Sequence, residues 1–320
     1  MRRAHKNFST RLLLLAGFCL AWVVAVRVSA TLEVVAEAPV QPPPQQSAGQ
    51  TGYVGSDTCL VCHGDIPYAQ TVHGRQTDPR TPASTAGCES CHGPGEAHVS
   101  GGGDKSQIRF FTRGGASAAE VSDTCTACHN RGDQALWEGS QHEGRDLACT
   151  TCHSVHDPES AAMSLTALDE RALCADCHRD KIAKLDRTGH MPVREGKLQC
   201  STCHNPHGSP SVRLLTVGDS IGELCTSCHA DKRGPFLWEH PPARDGCTTC
   251  HDPHGSSNER MLVSRTPILC QRCHVHTRHP STIYDAGAIA TSARVFARSC
   301  MTCHAAIHGS NHPSGQRFLR

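Results

Sequence analysis

Ten times along this 320-residue chain a cysteine is followed three residues later by a second cysteine and at once by a histidine. This Cys-x-x-Cys-His core is the attachment sequence of c-type haem: the two thiols add to the porphyrin vinyl groups and the histidine ligates iron. In order, the cores are Cys59, Cys62 and His63; Cys88, Cys91 and His92; Cys125, Cys128 and His129; Cys149, Cys152 and His153; Cys174, Cys177 and His178; Cys200, Cys203 and His204; Cys225, Cys228 and His229; Cys247, Cys250 and His251; Cys270, Cys273 and His274; and Cys300, Cys303 and His304. Twenty of the 21 cysteines lie in them, so no thiol pair is left over for a disulfide. Zinc ribbons and disulfide scaffolds also use Cys-x-x-Cys. Neither needs a histidine directly after the second cysteine, and ten such histidines select haem.

Ten porphyrins change what the chain can fold into. Only 4% of the residues are aromatic, and no alternating run is long enough for a sheet of consequence. The expected fold is a multihaem cytochrome c: short α-helices and irregular loops wrapped around an extended stack of ten haems, with little or no β-sheet. Porphyrin would supply the missing apolar surface, so haem attachment would be part of folding and the haem-free chain largely unfolded.

Arg2, Arg3, Lys6 and Arg11 precede an apolar run from Leu12 to Val26, and Val28, Ser29 and Ala30 offer small residues for cleavage. Residues 1–30 therefore have the pattern of a secretory signal peptide; the run is shorter than the roughly 20 residues of a membrane-spanning helix. Export suits the cysteine chemistry and places the mature protein in the periplasm. Residues 31–54, with Pro39, Pro42, Pro43 and Pro44 among Gln, Ala and Gly, have the composition of a flexible leader. The haem domain is 55–320.

Within that domain the cores alternate between two kinds. Those beginning at Cys149, Cys200 and Cys247 are each followed 25, 25 and 23 residues later by a core preceded by leucine, at Leu173, Leu224 and Leu269. The repeating unit is thus a haem pair, with pairs beginning at Cys59, Cys125, Cys174, Cys225 and Cys270. Capping-box patterns at Ser117 to Glu120, Thr166 to Asp169 and Ser220 to Glu223, and Thr266 with Pro267 at a first helical position, predict short helices carrying the first core of each of the last four pairs. The second cores are expected in Pro- and Gly-rich turns.

Of the 23 histidines, ten belong to the cores and His5 to the leader, leaving 12 for ten sixth-coordination positions. Each pair has one histidine between its cores and one shortly after the second. The candidate distal ligands are His73 and His98, His142 and His156, His190 and His207, His240 and His254, and His279 and His308, with His276 and His312 spare. Three residues span at most about 10 Å, so His156, His207 and His254 cannot reach round to the irons of His153, His204 and His251. The simplest closed arrangement crosses the pair, with His156 serving the iron of His129 and His142 that of His153. Iron held by two histidines has no open position for a substrate, which favours electron transfer over catalysis; no Cys-x-x-Cys-Lys occurs.

The whole chain carries a net charge of +1, and removing the five basic residues of 1–30 leaves −4. Twenty propionates, offset by oxidised iron, would bring the holoprotein to roughly −14 oxidised and −24 reduced, which argues against nucleic acid as a partner.

The ten cores, and the Cys-x-x-Cys-His-x-Pro-His-Gly signature ending at Gly208 and again at Gly255, resemble the MtrA/DmsE-type periplasmic decahaem cytochromes, a group that includes the relatives used for iron oxidation. The resemblance implies a haem wire inserted in an outer-membrane β-barrel porin. Such a wire links periplasmic or inner-membrane cytochromes to an extracellular multihaem cytochrome, a mineral, or iron and other metals. It also implies two pentahaem halves, which here would meet near residues 190–199. Two other functions are compatible with the residues: a soluble periplasmic shuttle or electron-feeding subunit of a terminal reductase of the dimethyl sulfoxide reductase type, and a multihaem reductase with one open haem.

Overall fold

Each odd-numbered core ends or lies within a short helix, in a computed structural model that describes residues 51–274 and 299–319 apart from 113 and 219. Helix α1, Ser56–His63, holds the first core. One-turn α2, Glu89–His92, overlaps the second, and α3, Glu96–Ser100, carries His98. Helix α4, Ala118–Thr126, leads into the third core, and α5, Cys149–Cys152, lies in the fourth. Helix α6, Glu170–Ala175, leads into the fifth and is followed by α7, Arg179–Leu185. Helix α8, Ile221–Cys228, holds the seventh core; α9, Pro241–Asp245, starts directly after His240; and α10, Ile268–Gln271, leads into the ninth core. The sixth, eighth and tenth cores sit on single 3-10 turns, 200–202, 247–249 and 300–302. The expected mixture of short helices and loops is what forms, and no strand occurs among the described residues.

Two of the helix starts are as the sequence predicts. Ser117 and Glu120 make a full capping box, and Ser220 Oγ accepts the Glu223 amide. Two are corrected. Asp169, not Thr166, caps α6, accepting the Ala172 amide, because the Thr166 hydroxyl is spent on the Cys152 carbonyl. Thr266 caps nothing: its hydroxyl bonds Ser299, on the turn of the tenth core. Both threonines tie a helix to a neighbouring core instead of starting it. The Glu170 carboxylate does the same, accepting the Ser201 amide and hydroxyl at 2.8 and 2.6 Å, and Glu89 accepts the amides of Val54, Gly55 and Gly95 at 2.8 to 3.0 Å.

Isolated bridges pair His153 with Leu165, His204 with Leu215 and His251 with Leu262. They fold the chain after an even core back along it. Among the described residues the buried apolar side chains are only Val121, Leu165, Leu185 and Leu215, and none is fully sequestered. Ordering a chain costs about 1–2 kcal/mol per residue, and four such side chains cannot offset that over a domain of this length. Helices this short are also marginal in isolation. The missing apolar contact has to come from a non-protein group. Produced without haem attachment, the chain is therefore expected to give a disordered far-ultraviolet circular dichroism spectrum and amides that exchange within seconds; native-like protection would refute this.

Candidate functional site

The cysteines show how the cores are arranged. The first thiols of each pair meet: Cys88 helps burial to push Cys59 up to about 11, and Cys247 and Cys300 do likewise for Cys225 and Cys270. Cys125 lies beside Cys149, which it holds below the ordinary thiol range, and Cys174 lies beside Cys200, which it likewise lowers. Between pairs the second thiols are the neighbours. Cys91 feels Cys128, Cys152 feels Cys177, Cys203 feels Cys228 and Cys250 feels Cys273, each on top of burial that raises the first-named thiol. Together these contacts link core 1 to core 2, core 2 to core 3, and so on to core 10. The order in space is the order in sequence.

The histidines are arranged with equal regularity. Eight core histidines face a second imidazole at ring-centroid distances between 5.9 and 6.5 Å: His63 with His98, His92 with His156, His129 with His73, His153 with His207, His178 with His142, His204 with His254, His251 with His308, and His274 with His240. The crossed arrangement expected within a pair is not adopted. His156 turns back to the preceding repeat, and His142 reaches forward to the next. Adjacent repeats thus exchange rings: the first, second and fourth send the histidine between their cores to the first core of the successor, and the first four receive a ring at their own second core. The reach limit on His156, His207 and His254 agrees with these partners.

Backbone groups aim the rings. Nδ1 of His92, His153, His204 and His251 lies 2.7 to 2.9 Å from the carbonyls of Arg109, Met163, Arg213 and Arg260, and His304 Nδ1 bonds the Arg317 carbonyl. His142 Nδ1 bonds the Pro206 carbonyl at 2.8 Å, and His98 Nδ1 that of Asp104 at 2.9 Å. A proton committed to a carbonyl at Nδ1 leaves the Nε2 lone pair free for a metal and makes it more basic. Burial, with the facing ring as a lesser cause in most of them, keeps His73, His156, His207, His240, His254 and His308 below the ordinary histidine range and hence neutral.

The His-Gly signature explains itself at these joints. Gly208, Gly255 and Gly309 have φ of 130°, 128° and 136°. A Cβ on them would lie 2.0 Å from the Leu136 carbonyl oxygen, 2.3 Å from that of Lys184 and 2.2 Å from the Phe236 ring. The preceding repeat lies directly on the glycine. Asn205 and Asp252 hold the same turn by accepting the amides of His207 and His254. They also reach the preceding repeat, Asn205 donating to the Asp133 carbonyl and Asp252 pairing with Lys184 at 2.7 Å.

Two histidines fall outside the pattern. Among the described residues His190 faces no ring; its Nδ1 bonds the Arg187 carbonyl and its Nε2 lies 3.0 Å from Glu195. His312 Nδ1 accepts the Ser314 amide, so His308, not His312, is the ring presented to a core. The choice between His276 and His279 lies outside the described residues. Sequence reasoning missed the carbonyl acceptors, which no side-chain pattern marks.

A continuous cavity of about 3910 Å³ runs along thiols or histidines of cores 2 to 10. Haem fits this setting on its own terms. An imidazole nitrogen lies about 2 Å from a coordinated metal and about 1 Å from its ring centroid, so two rings on opposite sides of one metal have centroids about 6 Å apart. That is the separation seen eight times.

The multihaem cytochrome MtrA of Shewanella baltica is 40% identical to this chain over 275 residues, which are 83% of the chain and 81% of MtrA. The chain belongs to the MtrA family of multihaem c-type cytochromes. It carries covalently bound haem c and transfers electrons. Residues 190–234 and 240–279 also match the doubled CXXCH motif, and residues 88–177 the NrfB-like c-type cytochrome family. The polyhaem cytochrome OmcB of Geobacter sulfurreducens is 27% identical over 206 residues, 57% of this chain and 26% of OmcB. The NrfB protein of Escherichia coli is 28% identical over 128 residues, 38% of this chain and 65% of NrfB.

As this MtrA-family chain uses Gly255 for close approach, Gly255→Ala is expected to destabilise the holoprotein by more than about 1 kcal/mol, lowering its melting temperature by several degrees. Gly144→Ala, where nothing lies within 4 Å of the added carbon, is expected to leave it unchanged. Differential scanning calorimetry checks both.

Proposed function

We propose that each of the ten cores holds one haem c ligated by two histidines, and that electrons hop along the haems in core order. The observation that carries this reading is the set of eight facing ring pairs, with neighbouring thiols in core order from Cys59 to Cys300 in support. The core histidines are the proximal ligands. His98, His156, His73, His207, His142, His254, His240 and His308 are the distal ligands to the irons of His63, His92, His129, His153, His178, His204, His274 and His251. The exchange rule assigns His190 to the iron of His229, and His279 is left for that of His304. Haem supplies an iron that alternates between ferric and ferrous states. The core and distal histidines would hold that iron, the carbonyls at Nδ1 would aim the rings, and the neighbouring cysteines would fix the distance to the next core.

The same reading places the protein in the periplasm behind a signal peptide at 1–30 and a leader at 31–54, with its haem domain inside an outer-membrane β-barrel porin. The wire then links periplasmic or inner-membrane cytochromes to extracellular electron donors or acceptors such as iron, other metals or another multihaem cytochrome. Two facts support it. The chain is related to MtrA over most of its length, and no helix among the described residues is long and apolar enough to cross a membrane. Backbone crossing a bilayer has to be satisfied by a helix or a closed barrel, so a conduit made from this chain requires a sheath.

Two experiments test the reading. By quantitative electron paramagnetic resonance, His142→Ala is expected to leave nine low-spin haems of ten. Adding His178→Ala keeps the count at nine, whereas adding His153→Ala lowers it to eight; the reverse would restore the crossed arrangement. A haem-stained native gel of detergent-solubilised outer membranes, with mass spectrometry of the stained band, is expected to show the chain with a β-barrel protein. Recovery only from the soluble periplasm would favour a shuttle.

A further inference from the structure

Core 1 differs from the other nine in what it shows to solvent. Between its cysteines stand Leu60 and Val61, whereas the other cores have polar residues there or at most one apolar side chain, Ala127, Ala175 or Met301. Leu60 is 43% exposed and Val61 84%, and α1 has no buried residue. An α-helix turns about 100° per residue. Cys59, Cys62 and His63 therefore share one side of α1, while Asp57, Leu60 and Val61 lie on the other, so a haem bound by the first set does not cover the second. Asp57 and, in the turn just past the helix, Asp65 are both exposed and flank the apolar pair. Among the described residues neither makes a salt bridge. An apolar centre with an acidic rim, turned outward directly behind a haem, has the anatomy of a transient protein interface, and its charge selects a basic partner.

We propose that the outer face of α1 is the docking surface for a small electron-transfer protein whose haem edge is ringed by lysines, a basic c-type cytochrome. One electron passes between the iron held by His63 and the partner's iron, one centre being oxidised as the other is reduced. Core 1 is the end of the succession of cores, with a neighbour on one side only, so a partner docked there exchanges electrons with the whole chain. The inference rests on core 1 holding haem.

The test uses the full-length holoprotein and mitochondrial cytochrome c as the basic probe. Stopped-flow spectroscopy follows the reduced protein passing electrons to the ferric probe at low ionic strength. Leu60→Gln with Val61→Lys, and separately Asp57→Lys with Asp65→Lys, are each expected to slow the bimolecular rate at least threefold. Neither is expected to slow the rate with ferricyanide, a small trianion that needs no docking surface and that added lysines attract. Leu168→Lys, at a site 75% exposed away from this helix, is expected to leave both rates unchanged. Equal rates in wild type and both α1 variants would overturn the proposal. So would a wild-type dimer, seen by analytical ultracentrifugation, that the α1 variants dissociate, since the face would then bind a second copy. Peptide mass spectrometry separates the two levels: if the Cys59–Cys62 peptide lacks haem the underlying reading fails, and if it carries haem and the rates stay equal only the docking surface does.

Discussion

The joint on which this structure depends is a pair of imidazoles, contributed by different repeats, facing each other about 6 Å apart across room for one metal. Three of the four joints between successive repeats are reciprocal. His73 crosses from the first repeat to His129 while His156 crosses back to His92, and His240 crosses from the fourth to His274 while His308 returns to His251. A repeat therefore cannot complete its own pair of sites. Ordinary repeat proteins gain stability by burying an apolar face against the next unit. Here the same nearest-neighbour logic operates through facing imidazoles, and covalently bound haem supplies the apolar surface that so few buried side chains cannot.

The same constraint serves transfer. Thiols that anchor consecutive haems are neighbours at every step, alternately the first cysteines within a pair and the second cysteines between pairs. A chain laid out so that sequence order equals spatial order needs no crossovers, and any two consecutive cores are spaced by local backbone geometry. Rigidity comes from the carbonyls that fix the rings: a group whose proton is already committed, and whose ring cannot swing, undergoes little rearrangement when the charge beside it changes.

Much of this was legible in the sequence. The ten cores, the short helices at the odd ones and eight of the ten rings read as distal follow from spacing, because those features are local. The partner of each ring was not legible. Reach excluded the nearest core for His156, His207 and His254, but could not separate crossing within a pair from exchange with the next repeat. What decides is contact between segments 64 to 72 residues apart: the His142 ring on the Pro206 carbonyl and the Asn205 amide on Asp133. The glycine after the second histidine was legible as a turn residue and is more than that, since the preceding repeat rests on it. Thr166 and Thr266 carry cap signatures and act elsewhere, where tertiary hydrogen bonds to neighbouring cores outweigh a local preference.

Reciprocal exchange has a consequence at the ends and in the middle of the array. A first repeat has no predecessor to receive its second ring, and here that ring, His98, turns back to its own His63, with α3 and the Asp104 carbonyl holding it there. The first repeat is thereby closed as a cap, in the way terminal repeats of solenoids differ from internal ones. In the middle, the joint between the third and fourth repeats has its returning ring, His254 on His204, and its backbone pairing, Gly189 with Ser256. Only the forward ring, His190, departs from the rule at this joint, its Nε2 lying 3.0 Å from Glu195. Lys184 and Asp252 clamp the same joint from the side, so the third and fourth repeats stay tied together by an ion pair, a backbone bridge and the returning ring while the forward ring bonds Glu195.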